Sequence, residues 1–325
     1  MKNIEALERF SNIIIEKMEQ STADWQKPWF DATLCNPRNI YGREYNATNA
    51  MMLRFHCEAK GWRYPVFITF NQVQDLNKGI TDDSKLIHIK AGQKSFPIIQ
   101  LSHSYRNEET GEYISSQRYE ALPEDEQEMY KEVFVRKVFP VFNIAQTNMK
   151  EARRDKWNEL IADCKRSLPS MYEGELYAAY EAMKTSNGWI CPIIEDEDIP
   201  APIYNMETDE IRIFPRSMFK TTDDYYGVAF NEMAHSTAVP LKRPTDDFAK
   251  EELIAELTSA LVCAQLGYNR HINESSVPYL KTWIAKAKET PDFIKSVLDA
   301  VQRAEALLTS TMEKYNGCYY IELAA

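Results

Sequence analysis

The N-terminal half of the chain alternates between helix-like and strand-like apolar patterns. Helical spacing predicts a helix over residues 2–20, with Ile4, Leu7, Phe10, Ile14 and Met18 near one face. The same repeat predicts a second helix over residues 49–60. Residues 66–70 are rich in β-branched and aromatic side chains, which predicts a strand. Further strands are predicted over residues 87–101 and 133–144, and the acidic stretch 106–132 between them is predicted to be a surface insertion with one short helix.

Beyond residue 150 the helical repeat dominates. It predicts helices over residues 151–186, 224–238, 248–266, 276–288 and 292–313, with stops before Pro240 and at Gly267. Residues 203–214 are predicted to form a hairpin or edge strand. The chain is therefore predicted to be an α+β protein. A mixed helix and strand region spans residues 1–150, and a mainly helical region with a small edge sheet spans residues 151–325.

Composition and charge narrow the class of protein. The chain has 325 residues, 44% of them apolar, and no apolar run long enough to cross a bilayer, so we expect a cytoplasmic protein without a membrane partner. The six cysteines are scattered, which predicts buried thiols. The net charge of −11 argues against coating of duplex DNA. However, residues 36–100 hold nine basic and five acidic side chains. This local excess of positive charge suits the binding of single-stranded nucleic acid.

The segment Phe230–His235 is one residue away from a zinc peptidase motif. On a helix, Asn231 and His235 lie one turn apart, where a His-Glu-x-x-His motif has its two zinc ligands. Glu232 takes the position of the general base that acts on a metal-bound water. Because an amide oxygen is a poorer zinc ligand than an imidazole nitrogen, Asn231 predicts a zinc site that is weakened or lost.

A downstream helix offers the carboxylates that such a site needs. Glu252 and Glu256 are four residues apart and share one helical face. We expect Glu252 to be the third metal ligand and Glu256 to orient His235. The strand over residues 209–214 precedes the motif helix, and a peptide or protein substrate is expected to bind alongside it by strand addition.

The first half of the chain is dense in aromatic rings, amides and spaced cations. Flat rings that stack on bases and cations that neutralise phosphates are the groups that single-stranded nucleic acid binding needs. The candidate nucleic-acid-binding residues are Trp25, Lys27, Trp29, Arg38, Asn39, Arg43, Tyr45, Asn49, Lys90 and Lys94.

Several segments of the chain, in their order and spacing, resemble the ArdC-type antirestriction proteins of conjugative plasmids and other mobile elements. The matching pieces include 25–29, 36–49, 67–72, 89–94 and 141–147 in the first half, and 204–215, 226–237 and 251–267 in the second. The resemblance implies a single-stranded-DNA-binding domain over residues 1–150 and a zincin-like metallopeptidase domain over residues 151–325. It also implies Glu232 as general base and His235 as a metal ligand. Asn231 departs from the family's motif.

Three functions follow from these observations. The first is a single-stranded-DNA-binding antirestriction accessory protein with a degenerate zincin-like domain. The second is an active zinc metallopeptidase that uses Glu232 as its base. The third is an acidic interaction protein, because residues 151–325 hold 19 basic and 29 acidic side chains and could mimic the charge of DNA.

Overall fold

The computed structural model describes residues 3–23, 28–30, 34–166, 177–272 and 274–316. The helices are α1 Asn3–Ala23, α2 Ala47–Lys60, α3 Phe70–Asn77, α4 Ser116–Glu120, α5 Glu124–Gln127, α6 Met149–Ala152, α7 Arg154–Arg166, α8 Ala178–Thr185, α9 Thr222–Ser236, α10 Phe248–Leu266, α11 Leu280–Glu289 and α12 Pro291–Glu313. The strands are β1 Arg38–Asn39, β2 Val66–Ile68, β3 Phe96–Asn107, β4 Tyr113–Ser115, β5 Tyr130–Asn143, β6 Ile193–Glu195, β7 Ile203–Asn205 and β8 Glu210–Ile213.

Two sheets organise the strands. The first has the order β1-β2-β5-β3-β4, and the second has the order β6-β8-β7. Strands β3 and β5 form a long antiparallel ribbon, from the pair Phe96–Val141 to the pair Asn107–Tyr130. The ribbon carries β4, α4 and α5 at its far end. Residues 106–132, predicted to be a surface insertion with one short helix, therefore form an arm that holds strand β4 and two short helices.

Side-chain caps fix the ends of the helices that matter for function. The side chain of Asn46 accepts a hydrogen bond from the backbone of Asn49 at the start of α2, and Gly61 ends that helix with a left-handed φ of 64°. Thr221 caps α9 and Asp247 caps α10 in the same way. Gly267 ends α10 with a φ of 85°, as its position after the last apolar residue predicted.

The largest apolar core crosses residue 150. It joins Phe10, Met51 and Phe67 of the first half to Leu257 and Trp283 of the second. A second core lies between α8, α9 and the small sheet, and a third lies beneath β2 and α7. The two predicted regions therefore share a core, and the boundary near residue 150 stays a prediction.

Most predicted elements are confirmed, with shifted ends. The predicted α+β class, the helices on either side of the motif and the hairpin before it are present. Helix α3 was not predicted; it starts where Thr69 forms a capping box with Gln72. The strand expected from residue 87 begins at Phe96, because Lys90–Lys94 form an exposed turn.

One prediction about the cysteines is wrong. Cys35 and Cys164 form a disulfide that links the segment before β1 to α7, 129 residues further along the chain. Cys57, Cys191 and Cys263 are buried free thiols, as expected. Cys318 lies outside the described residues. Scattered spacing gives no sign of a pairing that the fold creates over such a distance. Among the helices that the structure describes, none combines the length and apolar character of a membrane span.

Candidate metal centre and nucleic-acid surface

Helix α9 presents the motif residues at the base of a cleft. Asn231 and Glu232 are only 3% and 7% exposed, and α9 packs against α10, which brings Glu251 and Glu252 opposite His235. The cleft has a volume of about 560 Å³. Its walls are mostly apolar; besides the polar residues at its base, they include Ile203, Tyr204, Met206, Phe214, Phe219 and Phe248.

The imidazole of His235 lies between two adjacent glutamates. Its Nδ1 is 3.3 Å from Oε1 of Glu251, and its Nε2 is 3.7 Å from Oε1 of Glu252. Burial alone lowers the pKa of His235, but the hydrogen bond with Glu251 and the charges of Glu232 and Glu252 raise it above its usual value. Glu251 therefore orients the ring, and Nε2 is the nitrogen on the side of Glu252.

A buried arginine holds Glu251 in place. Arg243 Nε donates to Oε2 of Glu251 at 2.8 Å, and Arg243 Nη2 contacts Oε1 at 2.5 Å. The same guanidinium donates to the carbonyl of Ala234 and the hydroxyl of Thr237 at the end of α9. Burial on its own raises the pKa of Glu251, but the bonds with Arg243 and His235 hold it below its usual range.

Glu232 is tied to the small sheet. Its Oε2 accepts a hydrogen bond of 2.8 Å from the backbone N–H of Tyr204 in β7. Burial raises the pKa of Glu232, against the opposing effects of His235, the Tyr204 N–H and Arg270. Burial likewise raises the pKa of Glu252. The cleft therefore has two carboxyl groups whose environments favour protonation more than water does.

The donors present fit a tightly bound zinc ion poorly. His235 Nε2 and Glu252 Oε1 are close enough to share a cation, but the remaining ligand position of the motif holds Asn231, whose Nδ2 is buried without a hydrogen-bond partner. No group of three His, Cys, Asp or Glu side chains in the described part of the chain is arranged to hold a metal ion. A catalytic zinc site has three strong protein ligands, and only two are placed here.

The predicted role of Glu256 differs from its observed surroundings. Glu256 is fully buried and accepts hydrogen bonds of 3.3 Å from Trp29 Nε1 and from Arg270 Nη2. Arg270 reaches this point across Gly227 of α9, where an added Cβ would lie 2.7 Å from Arg270 Cδ. The carboxylate that bonds to His235 Nδ1 is Glu251, and Glu252 lies near Nε2. The sequence shows that three glutamates follow Asp247 on α10. It does not show which of them pairs with Arg243.

The expected peptide position also needs correction. Strand β8, which covers most of residues 209–214, lies between β6 and β7, so both of its edges are paired and it cannot accept a further strand. The outer strand next to α9 is β7, and it lines the cleft through Ile203 and Tyr204.

The candidate nucleic-acid residues divide by exposure. Arg43, Lys90 and Lys94 are exposed, and none of them forms an ion pair with a described residue. Asn39 and Tyr45 are half-buried: the Asn39 side chain accepts from the backbone of Tyr41 and Arg43, and the Tyr45 ring packs edge-on against Phe67. Trp25 and Lys27 lie outside the described residues.

Three of the candidates are structural instead. Trp29 is 1% exposed and bonds to Glu256, and Arg38 is buried with its Nη2 2.9 Å from Glu44. Asn49 exchanges two hydrogen bonds with the backbone of Ile99. Aromatic and amide residues serve cores and turns as well as ligands, and their density alone does not separate the two uses.

Comparison with known protein families agrees with this geometry. Residues 5–142 match the model of the N-terminal domain of anti-restriction factor ArdC, and residues 193–297 match a zincin-like metallopeptidase model. The antirestriction ArdC protein from plasmid R388 has the same fold. Its metal-free structure aligns with a TM-score of 0.68 at 22% identity, over 95% of this chain and 98% of that one. Its Mn(II)-bound structure aligns with a TM-score of 0.64, also at 22% identity, over 94% of this chain and 97% of that one.

Sequence relatives include two DNA primases named TraC from Escherichia coli. One is 23% identical over 90% of this chain, and the other is 24% identical over 92%. This chain covers 26% and 20% of their lengths, so it corresponds to a minor part of each. The uncharacterized protein y4eC from Sinorhizobium fredii is 20% identical, over 92% of this chain and 89% of y4eC. The resemblance to ArdC-type proteins that the sequence predicted is confirmed.

Proposed function

We propose that this chain is an ArdC-like antirestriction accessory protein that binds single-stranded DNA through its N-terminal half, while its zincin-like domain does not hold a catalytic zinc ion tightly. It would protect DNA that enters a recipient cell as a single strand. The proposal rests on the match of residues 5–142 to the ArdC N-terminal domain and on the placement of cations in that region.

The observation that supports DNA binding is a set of exposed cations that have no carboxylate partner among the described residues. Arg43, Lys90 and Lys94 make no ion pair with a described residue, although the chain has 49 acidic side chains for 38 basic ones. Lys78, in contrast, is an exposed cation that pairs with a carboxylate, that of Asp75. Unpaired cations are available to displace counterions from a phosphate backbone, which is the main source of affinity for nucleic acids.

The test is binding of the full-length protein to a labelled single strand of about 30 nucleotides, with a duplex of equal length for comparison. We expect tighter binding to the single strand than to the duplex. We also expect the logarithm of the association constant to fall linearly with the logarithm of the salt concentration. Absence of binding to the single strand at low salt would refute the proposal. Entry of an unmodified plasmid into a restricting recipient, with and without the protein, tests the antirestriction role.

A second candidate function is peptidase activity, and the arrangement of His235, Glu252 and Glu232 around one cleft favours it. The structure argues against tight zinc because Asn231 replaces a strong ligand. Metal analysis of protein purified without chelators separates the two candidates. About one zinc per chain, together with proteolysis that Glu232→Gln abolishes, would establish the peptidase and overturn the degenerate site.

A further inference from the structure

A second cleft lies in the N-terminal half, far along the chain from the zincin-like motif. It forms where α2 ends at Gly61 and the chain turns into β2, and its volume is about 330 Å³. We call it the Trp62 cleft. Its lining includes the rings of Trp62, Tyr64 and Trp157, the cations Arg63, Lys90 and Lys150, and the carboxylate Glu151.

The two rings beside Arg63 are held in fixed positions. Trp62 packs edge-on against His56, with ring centroids 5.2 Å apart, and Tyr64 packs edge-on against Trp157 at 6.3 Å. Trp62 and Tyr64 are half-buried, so each ring keeps accessible surface. Rings that are already ordered lose little conformational entropy when a flat ligand stacks on them.

The charge of this cleft is opposite to that of the whole chain. Arg63, Lys90 and Lys150 are exposed and form no ion pair with any residue that the structure describes, and Glu151 is the acidic member of the lining. The local charge is therefore about +2, in a chain with a net charge of −11. A concave site with free cations and accessible rings suits a ligand that is both anionic and flat.

Two neutral polar side chains of the cleft, Asn143 and Thr147, are already engaged by the protein. Asn143 Nδ2 donates to the carbonyl of Tyr64 at 2.8 Å, and Asn143 Oδ1 accepts from the backbone of Ala145. Thr147 donates its hydroxyl to the carbonyl of Ile144. These two groups cannot read the hydrogen-bonding edge of a base without breaking those bonds, so stacking and charge are the main means of recognition.

We propose that the Trp62 cleft receives one unstacked nucleotide of a single strand, with the base against Trp62 or Tyr64 and the flanking phosphates near Arg63, Lys90 and Lys150. This inference rests on the proposed function and adds the site and the mode of recognition. A base within a duplex is stacked on both faces and cannot reach the recessed rings, so the cleft selects single strands. It tolerates different sequences because every base has a flat face.

The experiment compares cleft variants of the full-length protein by fluorescence anisotropy with an oligo-dT strand. We expect Trp62→Ala to weaken binding about ten- to 100-fold, and Trp62→Phe to retain most of the affinity because a ring remains. Lys90→Ala and Lys150→Ala should each reduce the slope of the log association constant against log salt concentration by about 0.7. In the wild type, the strand should quench part of the tryptophan fluorescence, and Trp62→Phe should remove that part.

Two control variants lie outside the cleft. Tyr41→Ala removes an aromatic ring that is 66% exposed, and Lys78→Ala removes an exposed cation already paired with Asp75. Both should bind like the wild type, and thermal melting confirms that every variant is folded. If the wild type binds the strand but Trp62→Ala and Lys150→Ala bind equally well, the cleft is not the site, although the proposed function stands. If the wild type does not bind, both proposals fail.

Discussion

The indole N–H of Trp29 donates a hydrogen bond to Oε1 of Glu256, 227 residues further along the chain. The bond is buried, and Glu256 lies one turn after Glu252 on α10. A residue expected to bind DNA and a residue expected to orient His235 are therefore partners of each other. Their contact fixes α10 against the N-terminal half of the molecule.

Trp29→Phe tests the strength of this contact. The substitution keeps a ring in the core but removes the donor to a buried carboxylate, so we expect the free energy of unfolding to fall by about 1–3 kcal/mol. Chemical denaturation measures the change. Trp157→Phe is the matched control, because it makes the same change in ring size without removing a hydrogen bond between the halves. Equal losses for both variants would mean that the Trp29 hydrogen bond contributes nothing of its own.

Asn231→His should restore the missing ligand. Structural zinc sites bind with apparent free energies of about 10–16 kcal/mol shared among a few ligands, so one added imidazole should raise zinc affinity by about 100-fold or more. Competition titration with a chromogenic chelator measures the affinity. Asn231→Ala, which places no ligand at this position, should not raise the zinc affinity. If Asn231→His binds zinc no better than the wild type, His235 and Glu252 are not the remaining ligands.

The pair of Arg243 and Glu251 should show a strong coupling. Arg243→Met leaves a buried carboxylate without its cation, which should lower the free energy of unfolding by about 3–5 kcal/mol. Adding Glu251→Leu removes that carboxylate, so the double variant should be less destabilised than the sum of the two single variants. A double-mutant cycle in urea measures the coupling. Simple additivity would contradict the buried ion pair at 2.5–2.8 Å.

Stability should depend on pH through His56. Burial, followed by the charges of Arg9 and Lys60, lowers the pKa of His56 from 6.5 to about 4. The unfolded chain therefore takes up a proton at a pH where the folded chain does not, and stability falls as the pH drops from about 6.5 towards 4. This difference corresponds to about 3 kcal/mol. The free energy of unfolding of His56→Phe should fall less between pH 7 and pH 4.5 than that of the wild type. The control His88→Phe, at an exposed site, should lose as much as the wild type.

A fragment that ends at residue 150 should not fold by itself. Its share of the main core, which includes Phe10, Met51 and Phe67, packs on Leu257 and Trp283 and would be exposed to water. We expect a broad thermal transition and dye binding typical of exposed apolar surface. A cooperative transition for the fragment, near that of the whole chain, would show that the N-terminal half is an independent domain.

The local pattern of the sequence predicts the elements better than their assembly. The apolar repeat of α1 reflects its buried face, and the stop signals at Pro240 and Gly267 mark the ends of α9 and α10, so these helices are predicted to within a few residues. The partners of Glu251 and Glu256 could not be predicted, since they come from Arg243, Arg270 and Trp29 on other segments. Burial of Arg38 and Asn49 was missed for the same reason: both satisfy their polar groups through contacts that only the folded chain creates.

The Cys35–Cys164 disulfide determines whether a proteolytic cut between the two cysteines releases a fragment. The far end of the ribbon between β3 and β5 is exposed and lies between the two cysteines in the sequence, so a cut there interrupts the polypeptide inside a closed covalent ring. Both products stay attached and migrate together until a reductant is added. Outside a reducing environment, digestion of the arm would therefore open the ring without releasing either half of the molecule.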